Sequence, residues 1–454
     1  MVASMKVNLD RWVASEKGEI NNIVLTEVTS MYKKRLIDDL LLEYKKSKFA
    51  ILVEGAKATG KTSTCKELTE ESFYLDQPIQ REVIESNPQM VFESGKDILL
   101  DEWQRLPEIW EVVRRKIDEG TYQGSIFMTG SSPSLQPKIH SGSGRILRFK
   151  MRPLSIEERE LDIPKIKLSN LLVGKIEDAF THQTEITLDH YLDEIFNSGF
   201  PGIRLEPDRF RLRSIESYID NIIHHDLLEQ EIKVRKPLSM KAWLASYAAA
   251  TATNANNSTI AEAAFSDGEG AVSAKTIQSY KEILQGIGVI EQVPAWLPFG
   301  SLFSNLGKTP KHFLVDPAIA VSLLHVTKKN LLQGRRLPKT VGKLNKTFLG
   351  QLFESLVYQS LATYTDINEA HLSHLRLRGG EKEIDFIVQK EDTIVAIEVK
   401  SKAKIDGKDV ANLHWFEQKI KGEYDVVKVV IHAGPYAYKR PDGVIVVPLA
   451  LLGC

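Results

Sequence analysis

Cysteine is scarce in this chain, which has two in 454 residues, Cys65 and Cys454. Cys65 falls in a predicted helix and Cys454 is the last residue, so their positions argue against a structural disulfide and favour a reducing compartment. Long apolar runs are also missing, and none approaches the roughly 20 residues of a membrane-spanning helix. Lys6, Asp10 and Arg11 interrupt the stretch where a signal peptide would need an apolar core. We therefore expect a cytoplasmic protein with no membrane partner.

A large net charge is missing too, since 59 Lys and Arg residues face 60 Asp and Glu residues. This balance excludes a basic surface over the whole protein, although a local basic patch for nucleic acid is compatible with it. No internal repeat is present. The length favours roughly two to four domains, each with room for its own core.

Residues 49 to 62 contain a phosphate-binding loop pattern, in the sequence FAILVEGAKATGKT. The apolar run predicts a buried strand, the pattern G-x-x-x-x-G-K-[ST] follows, and a helix-like stretch comes next. Backbone N–H groups of such a loop wrap phosphates, and the helix points its positive end at them. A glycine-rich turn without a ligand is the alternative. The residues predicted to bind nucleotide are Gly55, Ala56, Lys57, Ala58, Thr59, Gly60, Lys61 and Thr62.

Two carboxylates end the next predicted buried strand, Asp97 to Glu102. Lys61 is expected to reach the β- and γ-phosphates and the Thr62 hydroxyl to hold Mg²⁺. Asp101 is then expected in the metal shell, and Glu102 is expected to polarise the attacking water. The pattern is common alone, and its place downstream of the phosphate loop makes it specific.

Hydroxyl residues follow a further predicted strand, where Thr129 and Ser131 are expected to sense the γ-phosphate or position water. An ordinary strand-to-loop turn is the alternative. Arg145 lies on a glycine-rich loop and is the candidate arginine finger, acting within the chain or from a second copy of it. A structural salt bridge is the alternative for Arg145. Residues 1 to 48 read as helical, and Arg35 within them is expected to be a solvated charge rather than a nucleotide contact.

These segments carry a family resemblance. The phosphate loop, LLDEWQ at the strand end, MTGSS, GRI and MRPLSIEE (151 to 158) resemble prokaryotic AAA-type ATPases whose C-terminal half is the domain of unknown function DUF4143. The resemblance runs along the whole chain and includes GFP at 199 to 201. It implies an α/β fold with a P-loop NTPase domain related to AAA+ proteins, with ATP as ligand and Mg²⁺ as cofactor. It implies no particular substrate.

Residues 258 to 296 resemble a helix-turn-helix with a wing. A short helix, a turn with Gly268 and Gly270, a second helix from Ser273 to Leu284 and a strand at 287 to 293 occur in that order. The second helix carries Lys275 and Lys281 but also an acid, so it is poorly supplied with the contacts that DNA reading requires. An interaction or packing role is therefore preferred.

The C-terminal part predicts a helix from Phe348 and a hairpin of two strands, Glu383 to Val388 and Ile394 to Lys400. Further elements complete an α/β unit: a helix at 409 to 421, a strand at 426 to 431 and a last strand at 442 to 452. Glu398 and Lys400 share one face of their strand, and Asp385 on the partner strand can project to the same face. Glu354 is available from the helix.

This set resembles the PD-(D/E)xK nuclease family, whose fold is that of restriction endonucleases. The resemblance implies that Asp385 and Glu398 bind Mg²⁺ and that Lys400 orients or deprotonates the metal-bound water. A fold of this kind with a binding role and no cleavage is the alternative.

The sequence thus predicts three parts: a P-loop ATPase domain (1–160), a helical and winged-helix region (161–300) and a nuclease-like domain (301–454). Two functions follow. In the first, ATP hydrolysis is coupled to a nuclease-like domain that acts on or binds DNA or RNA. In the second, ATP drives assembly or partner binding, with a second copy of the chain as a candidate partner, and the C-terminal domain does not cleave.

Overall fold

The computed structural model describes residues 32–130, 144–177, 179–227, 236–266, 272–298, 307–333 and 348–454. Most of the predicted N-terminal helical segment lies outside these residues. Its described part contains helix α1 (Ile37–Tyr44), which buries Ile37 and Leu41. Residues 34–454 belong to one compact unit.

A parallel sheet of five strands forms the N-terminal part, in the order β2-β3-β4-β1-β5. The elements of this part are β1 (Ala50–Glu54), α2 (Lys61–Glu67), β2 (Glu71–Tyr74), α3 (Pro78–Ser86), β3 (Ile98–Asp101), α4 (Ile109–Glu119), β4 (Ile126–Gly130) and β5 (Ile146–Lys150). Because all strands run the same way, β1, β3 and β4 end at one edge of the sheet, which is where ligands bind in open α/β folds.

Apolar side chains on both faces of β1 explain why the strand reads as a continuous hydrophobic run. Leu52 shares a core with Trp110 of α4, on one face of the sheet. Ile51 and Val53 share a second core with Cys65 of α2, on the other face. A strand of a parallel sheet is covered by helices on both sides, so alternation of polar and apolar residues is lost.

The middle of the chain is mainly helical. Its elements are β6 (Ile166–Lys167), α5 (Leu168–Leu171), β7 (Thr181–Gln183), α6 (Leu188–Asn197), α7 (Pro201–Arg204), α8 (Asp208–Asn221), α9 (Pro237–Ala249), α10 (Asn257–Ala264), α11 (Ala274–Gly286), β8 (Ile290–Val293), β9 (Lys311–Leu314), α12 (Pro317–Leu323) and α13 (Lys328–Leu332). A π-helical turn, Ile222–Asp226, continues α8. The strands β8 and β9 pair antiparallel, with Ile290 opposite Leu314 and Val293 opposite Lys311.

A mixed sheet of seven strands forms the C-terminal part. Its elements are α14 (Phe348–Ile367), β10 (His371–Arg376), β11 (Glu383–Lys390), β12 (Thr393–Lys400), α15 (Gly407–Lys419), β13 (Asp425–His432), β14 (Tyr436–Lys439), β15 (Ile445–Pro448) and β16 (Leu452–Gly453). The strand order is β10-β11-β12-β13-β15-β14-β7, so a strand from the middle of the chain closes one edge. The central pairs β12–β13 and β13–β15 are parallel, and the outer pairs are antiparallel.

The predicted hairpin is present, since β11 pairs antiparallel with β12 and Phe386 lies opposite Ile397. The predicted strand over 442 to 452 is wrong as a single element. It divides into β15 and β16, separated by a 3-10 turn at Leu449–Leu451. Pro448 ends β15, because a proline lacks the N–H group that would continue the ladder.

Candidate functional site

The phosphate loop joins β1 to α2 through backbone conformations that favour glycine. Gly55 has a φ of 147° and Gly60 a φ of 98°, and α2 begins directly after Gly60. A Cβ atom on Gly55 would lie 2.1 Å from the backbone oxygen of Met151, so a side chain would not fit there. The glycine spacing of the sequence pattern therefore has a steric reason in this fold.

Lys61 is buried inside the loop. Its Nζ atom donates to the carbonyl oxygens of Gly55, at 3.1 Å, and Ala56, at 2.8 Å. Burial lowers the pKa of Lys61, and the nearby carboxylates of Glu102 and Asp101 oppose that effect. The ammonium group therefore lies within the loop that is predicted to bind the phosphates.

Three oxygen-bearing side chains meet at the carboxyl edge of the sheet. Thr62 Oγ1 donates to Asp101 Oδ1 at 2.8 Å, and Thr129 Oγ1 donates to the same carboxylate oxygen. Asp101 and Thr129 are buried. Hydroxyl and carboxylate oxygens are the ligands that Mg²⁺ prefers, so Thr62 and Asp101 fit the predicted metal role.

Glu102 follows Asp101 in a left-handed backbone conformation, with a φ of 54°. Such a φ is uncommon outside glycine, and strain of this kind clusters at functional sites. Gln104 donates its side-chain N–H to Glu102 Oε2, and the Glu102 N–H lies 3.4 Å from Thr129 Oγ1. The carboxylate of Glu102 is thus fixed beside the three-oxygen cluster, and its role towards water stays a prediction.

The two remaining predicted residues of this edge have different outcomes. Ser131 lies outside the described residues. Arg145 makes an ion pair with Asp118, with Nε 2.8 Å from Oδ1, and the two side chains are 44% and 40% exposed. The ion pair was the alternative considered for Arg145, and the role of this residue as an arginine finger stays a prediction.

The expectation of a solvated Arg35 is wrong. Arg35 is buried, and its Nε donates to Glu158 Oε1 at 2.8 Å. Its Nη1 donates to the carbonyl oxygen of Thr59 at 2.8 Å, within the phosphate loop, and its Nη2 donates to the carbonyl oxygen of Arg152 at 2.9 Å. Burial opposes a charge on Glu158, but Arg35 holds the pKa of that carboxyl below its usual value. The acid lies in the MRPLSIEE segment, which is the sequence signal that could have indicated a buried partner.

Residues of the middle region lie against the other side of the phosphate loop. The Tyr218 hydroxyl donates to the carbonyl oxygen of Lys57 at 3.3 Å. Gly288, with a φ of 74°, approaches so closely that a Cβ atom on it would be 2.9 Å from the backbone nitrogen of Ala56. The loop is therefore held between the five-stranded sheet and the helical region.

The C-terminal fold brings the four predicted residues of the second site together. Lys400 Nζ lies 2.5 Å from Glu398 Oε2 and 3.9 Å from Asp385 Oδ2. The backbone N–H of Val399 donates to Asp385 Oδ2 at 3.0 Å. Glu354 on α14 is buried and reaches the same cluster through a lysine that sequence reasoning missed.

That lysine is Lys311, the first residue of β9. Its Nζ atom lies 2.6 Å from Glu354 Oε1, 3.1 Å from Asp385 Oδ1 and 3.4 Å from Glu383 Oε1. The side chain is 0% exposed. The only sequence signal was a lysine in the short run KHFLVD, which lies far along the chain from the acids.

The predicted metal role of Asp385 and Glu398 stays a prediction that this arrangement does not favour. Each of the three acids Glu354, Asp385 and Glu398 is bound to a lysine, and the second oxygen of Asp385 accepts the Val399 N–H. Within the described ranges, no group of three or more His, Cys, Asp or Glu side chains is placed to hold a metal ion. The residues at this second site therefore do not fit a divalent ion as they are arranged.

Family comparisons assign three segments. Residues 47–160 match the model described as AAA domain, and residues 349–452 match the domain of unknown function DUF4143. Residues 188–330 match a second domain of unknown function, DUF8612. No curated protein matches the chain.

Among solved structures, the chain is similar to a Walker-type ATPase of Pyrococcus abyssi, with 13% sequence identity and a TM-score of 0.39. The match covers 64% of this chain and 96% of the archaeal one. In the described part of the chain, no helix has the length and apolar character to cross a bilayer. The predicted AAA-type segment and C-terminal DUF4143 segment are confirmed, since residues 47–160 match an AAA domain and residues 349–452 match DUF4143, whereas the nuclease-like part stays a prediction.

Proposed function

We propose that this chain binds ATP in the loop at residues 55–62 and hydrolyses it to ADP and phosphate with Mg²⁺. The observation that carries the proposal is that the hydroxyls of Thr62 and Thr129 both donate to one carboxylate oxygen of Asp101. This cluster lies beside the loop that holds Lys61. These groups come from three separate elements, and each has the chemistry that a phosphate or its metal requires.

Each residue then has a defined task. Backbone N–H groups of the loop and the start of α2 bind the phosphates, and the Lys61 ammonium leaves the loop carbonyls to pair with the β- and γ-phosphates. Thr62 and Asp101 would hold Mg²⁺, which neutralises charge on the phosphates when bound. Glu102 orients the attacking water and takes its proton, and Thr129 keeps the Asp101 carboxylate in place.

Equilibrium binding of ATP and its turnover test this proposal directly. Lys61→Ala should weaken ATP binding by roughly tenfold or more, because the phosphates lose their main cation. Its matched control is Lys66→Ala, an exposed lysine of the same helix, which should bind as wild type. Glu102→Gln should keep ATP binding and lose turnover, whereas Glu108→Gln, an exposed acid nearby, should keep both. Wild-type turnover in Glu102→Gln would assign the water to another residue.

We further propose that the ATP cycle controls the C-terminal part through a chain of buried contacts. Arg35 binds both the loop carbonyl of Thr59 and the carbonyl of Arg152, and Arg152 Nε donates to Glu291 Oε2 at 3.0 Å. Glu291 also accepts the Tyr358 hydroxyl at 2.5 Å. Burial opposes the charge of Glu291, but Arg152 and Lys150 hold the pKa of that carboxyl far below its usual value.

This chain of contacts ends on α14, one helical turn from Glu354 of the second site. A change at the phosphate loop therefore has a continuous route of hydrogen bonds to α14. We propose an ATP-driven switch in binding or assembly as the function of the whole chain, with a C-terminal domain of restriction-endonuclease-like fold. The order of α10, α11 and the antiparallel pair β8–β9 supports a winged-helix arrangement in the middle of the chain.

Hydrogen exchange of α14 with and without ATP tests the switch. Wild type should show a nucleotide-dependent change in protection that Tyr358→Phe abolishes, because that variant loses only the hydroxyl that binds Glu291. Tyr364→Phe is the matched control, since its hydroxyl contacts the Glu157 N–H and the Leu452 carbonyl instead. Equal responses in the two variants would refute the route through Glu291.

The competing function, nucleic-acid cleavage, has its own assay. Plasmid, single-stranded DNA and RNA are incubated with Mg²⁺ or Mn²⁺, with and without ATP, beside the Glu398→Ala variant. The switch predicts ATP turnover and a nucleotide-dependent change in oligomer size without cleavage. Cleavage that is lost in Glu398→Ala would establish a nuclease in its place.

A further inference from the structure

Lys311 is a buried cation in the middle of an acidic cluster. Its ammonium group has no exposed surface, and it contacts carboxylate oxygens of Glu354, Asp385 and Glu383 within 2.6 to 3.4 Å. A lysine is tolerated at such depth only where carboxylates surround it, because an isolated ammonium in the interior is very costly. The three contacts come from two elements, α14 and β11, and the lysine itself from a third, β9.

The position of the Lys311 ammonium determines which carboxylate oxygens are left to bind a metal ion. The ammonium contacts both Glu354 Oε1, at 2.6 Å, and Asp385 Oδ1, at 3.1 Å, and Asp385 is one of the two residues that the sequence predicts as metal ligands. The other Asp385 oxygen accepts the backbone N–H of Val399 at 3.0 Å. Asp385 thus has both oxygens bound by groups of the protein itself.

The net charge of the cluster also argues against a divalent ion. Glu354, Asp385 and Glu398 contribute three negative charges, and Lys311 and Lys400 contribute two positive ones, which leaves one negative charge. The fourth acid, Glu383, has Arg376 within 3.4 Å, which balances it. A divalent ion would turn the remainder into a net positive charge in a buried place.

We propose that Lys311 permanently takes the place of a divalent cation at this site, so that the cluster binds no metal and acts as a fixed ion-pair junction between β9, α14 and β11. This inference goes beyond ATP hydrolysis and is independent of it. It also gives a chemical cause for a C-terminal domain that does not cleave. Of the two predicted metal ligands, Asp385 has both oxygens bound by protein groups and Glu398 is paired with Lys400.

Binding of Mn²⁺ to the full chain without nucleotide, followed by electron paramagnetic resonance, tests the proposal. Wild type and Asp385→Asn should bind the same number of Mn²⁺ ions, and Glu398→Gln should agree with them. One bound ion in wild type that both variants lose would overturn the proposal.

A gain of metal binding is the complementary test. Lys311→Met keeps the aliphatic part of the side chain and removes the charge, so it should acquire one Mn²⁺ site that the double variant Lys311→Met/Asp385→Asn lacks. Lys308→Met, at an exposed lysine of the same segment, should gain none. A folded Lys311→Met protein without a new site would contradict the substitution of metal by lysine. If Lys311→Met fails to fold, the comparison of wild type with Asp385→Asn and Glu398→Gln decides.

ATP turnover is measured on every variant in parallel. Normal turnover with an unexpected Mn²⁺ site would reject the lysine junction alone. Absence of ATP turnover in wild type would reject the ATPase proposal and would leave the proposal for Lys311 unaffected.

Discussion

Arg35 donates a hydrogen bond to the phosphate loop, with Nη1 2.8 Å from the carbonyl oxygen of Thr59. The same guanidinium forms an ion pair with Glu158 whose side chains are 4% and 2% exposed. A loop that must present its N–H groups to phosphates needs its carbonyl groups bound elsewhere, and Arg35 supplies that partner. The buried pair therefore connects the segment before the sheet, the loop and the segment after β5.

Removal of the Arg35 guanidinium should be strongly destabilising. Arg35→Ala leaves the Glu158 carboxylate buried without its cation, and breaking a buried pair in this way costs roughly 3–5 kcal/mol. Urea unfolding measures the loss. Lys34→Ala is the matched control, because the neighbouring Lys34 makes an ion pair with Asp39 in which both side chains are largely exposed. Its unfolding midpoint should equal that of wild type, and an equal loss in both variants would refute the buried role of Arg35.

Gly288 should control the phosphate loop from the helical region. Gly288→Ala places a Cβ atom 2.9 Å from the Ala56 nitrogen, so the loop must shift and ATP affinity should fall by about tenfold. Gly95→Ala is the control, since Gly95 has a similar φ of 69° with nothing within 4 Å of the added atom. Both variants carry the left-handed backbone cost of roughly 1–2 kcal/mol. Only Gly288→Ala should change the dissociation constant for ATP in isothermal titration calorimetry.

Local pattern was sufficient for the elements that place the phosphate loop. An apolar run followed by glycines at fixed spacing predicts a strand, a turn and a helix, and β1, Gly55, Gly60 and α2 are arranged in that way. The hairpin of β11 and β12 was also predictable from local pattern, because a short polar turn separates two apolar runs. By contrast, β9 and β10 are short and partly polar, and neither was predicted. Each depends on pairing with a neighbouring strand, β9 with β8 and β10 with β11, rather than on an apolar pattern of its own.

The site was less predictable wherever a contact joins distant segments. The Thr62–Asp101 pairing follows from a known spacing, but Arg35–Glu158 and Lys311–Glu354 do not. A charged residue in a helical or strand-like pattern is normally solvated, so burial of Arg35 and Lys311 depends on tertiary partners that sequence periodicity does not encode. Arg35 was expected to be solvated and Lys311 was not predicted at all, and the acids that pair with these two cations lie far away along the chain.

Arg145 should contribute to ATP hydrolysis if its exposed guanidinium reaches a nucleotide. Arg145→Ala is then expected to slow turnover, and fingers of this kind contribute about 10³–10⁵ in rate. Asp118→Ala is the control, because it removes the ion pair of Arg145 and leaves the arginine intact. Mixing Arg145→Ala with Glu102→Gln protein should restore turnover only where the arginine acts between two copies. Equal rates for Arg145→Ala, Asp118→Ala and wild type would reduce Arg145 to a surface ion pair.

Stability should fall between pH 7.5 and pH 5 because of two buried imidazoles. Burial, together with the nearby positive charge of Lys281, lowers the pKa of His312 to about 4. Burial, together with the nearby Lys311, lowers the pKa of His374 to about 4. His312 Nε2 lies 2.7 Å from the Ala255 carbonyl, which can only accept, so Nδ1 accepts from Gln292 and the ring is neutral.

The sign follows from the two states of each imidazole. The unfolded chain takes up a proton below the ordinary histidine pKa of about 6.5, whereas the folded chain does so only below about 4. The unfolded state therefore binds more protons between these values, and stability decreases as the pH falls through that window. Each imidazole should cost roughly 2 kcal/mol between pH 7.5 and pH 5. Urea unfolding at the two pH values should show a smaller loss in His312→Gln than in wild type, while His371→Gln, at an exposed position, should match wild type. An identical loss in His312→Gln and wild type would assign the acid sensitivity to other groups.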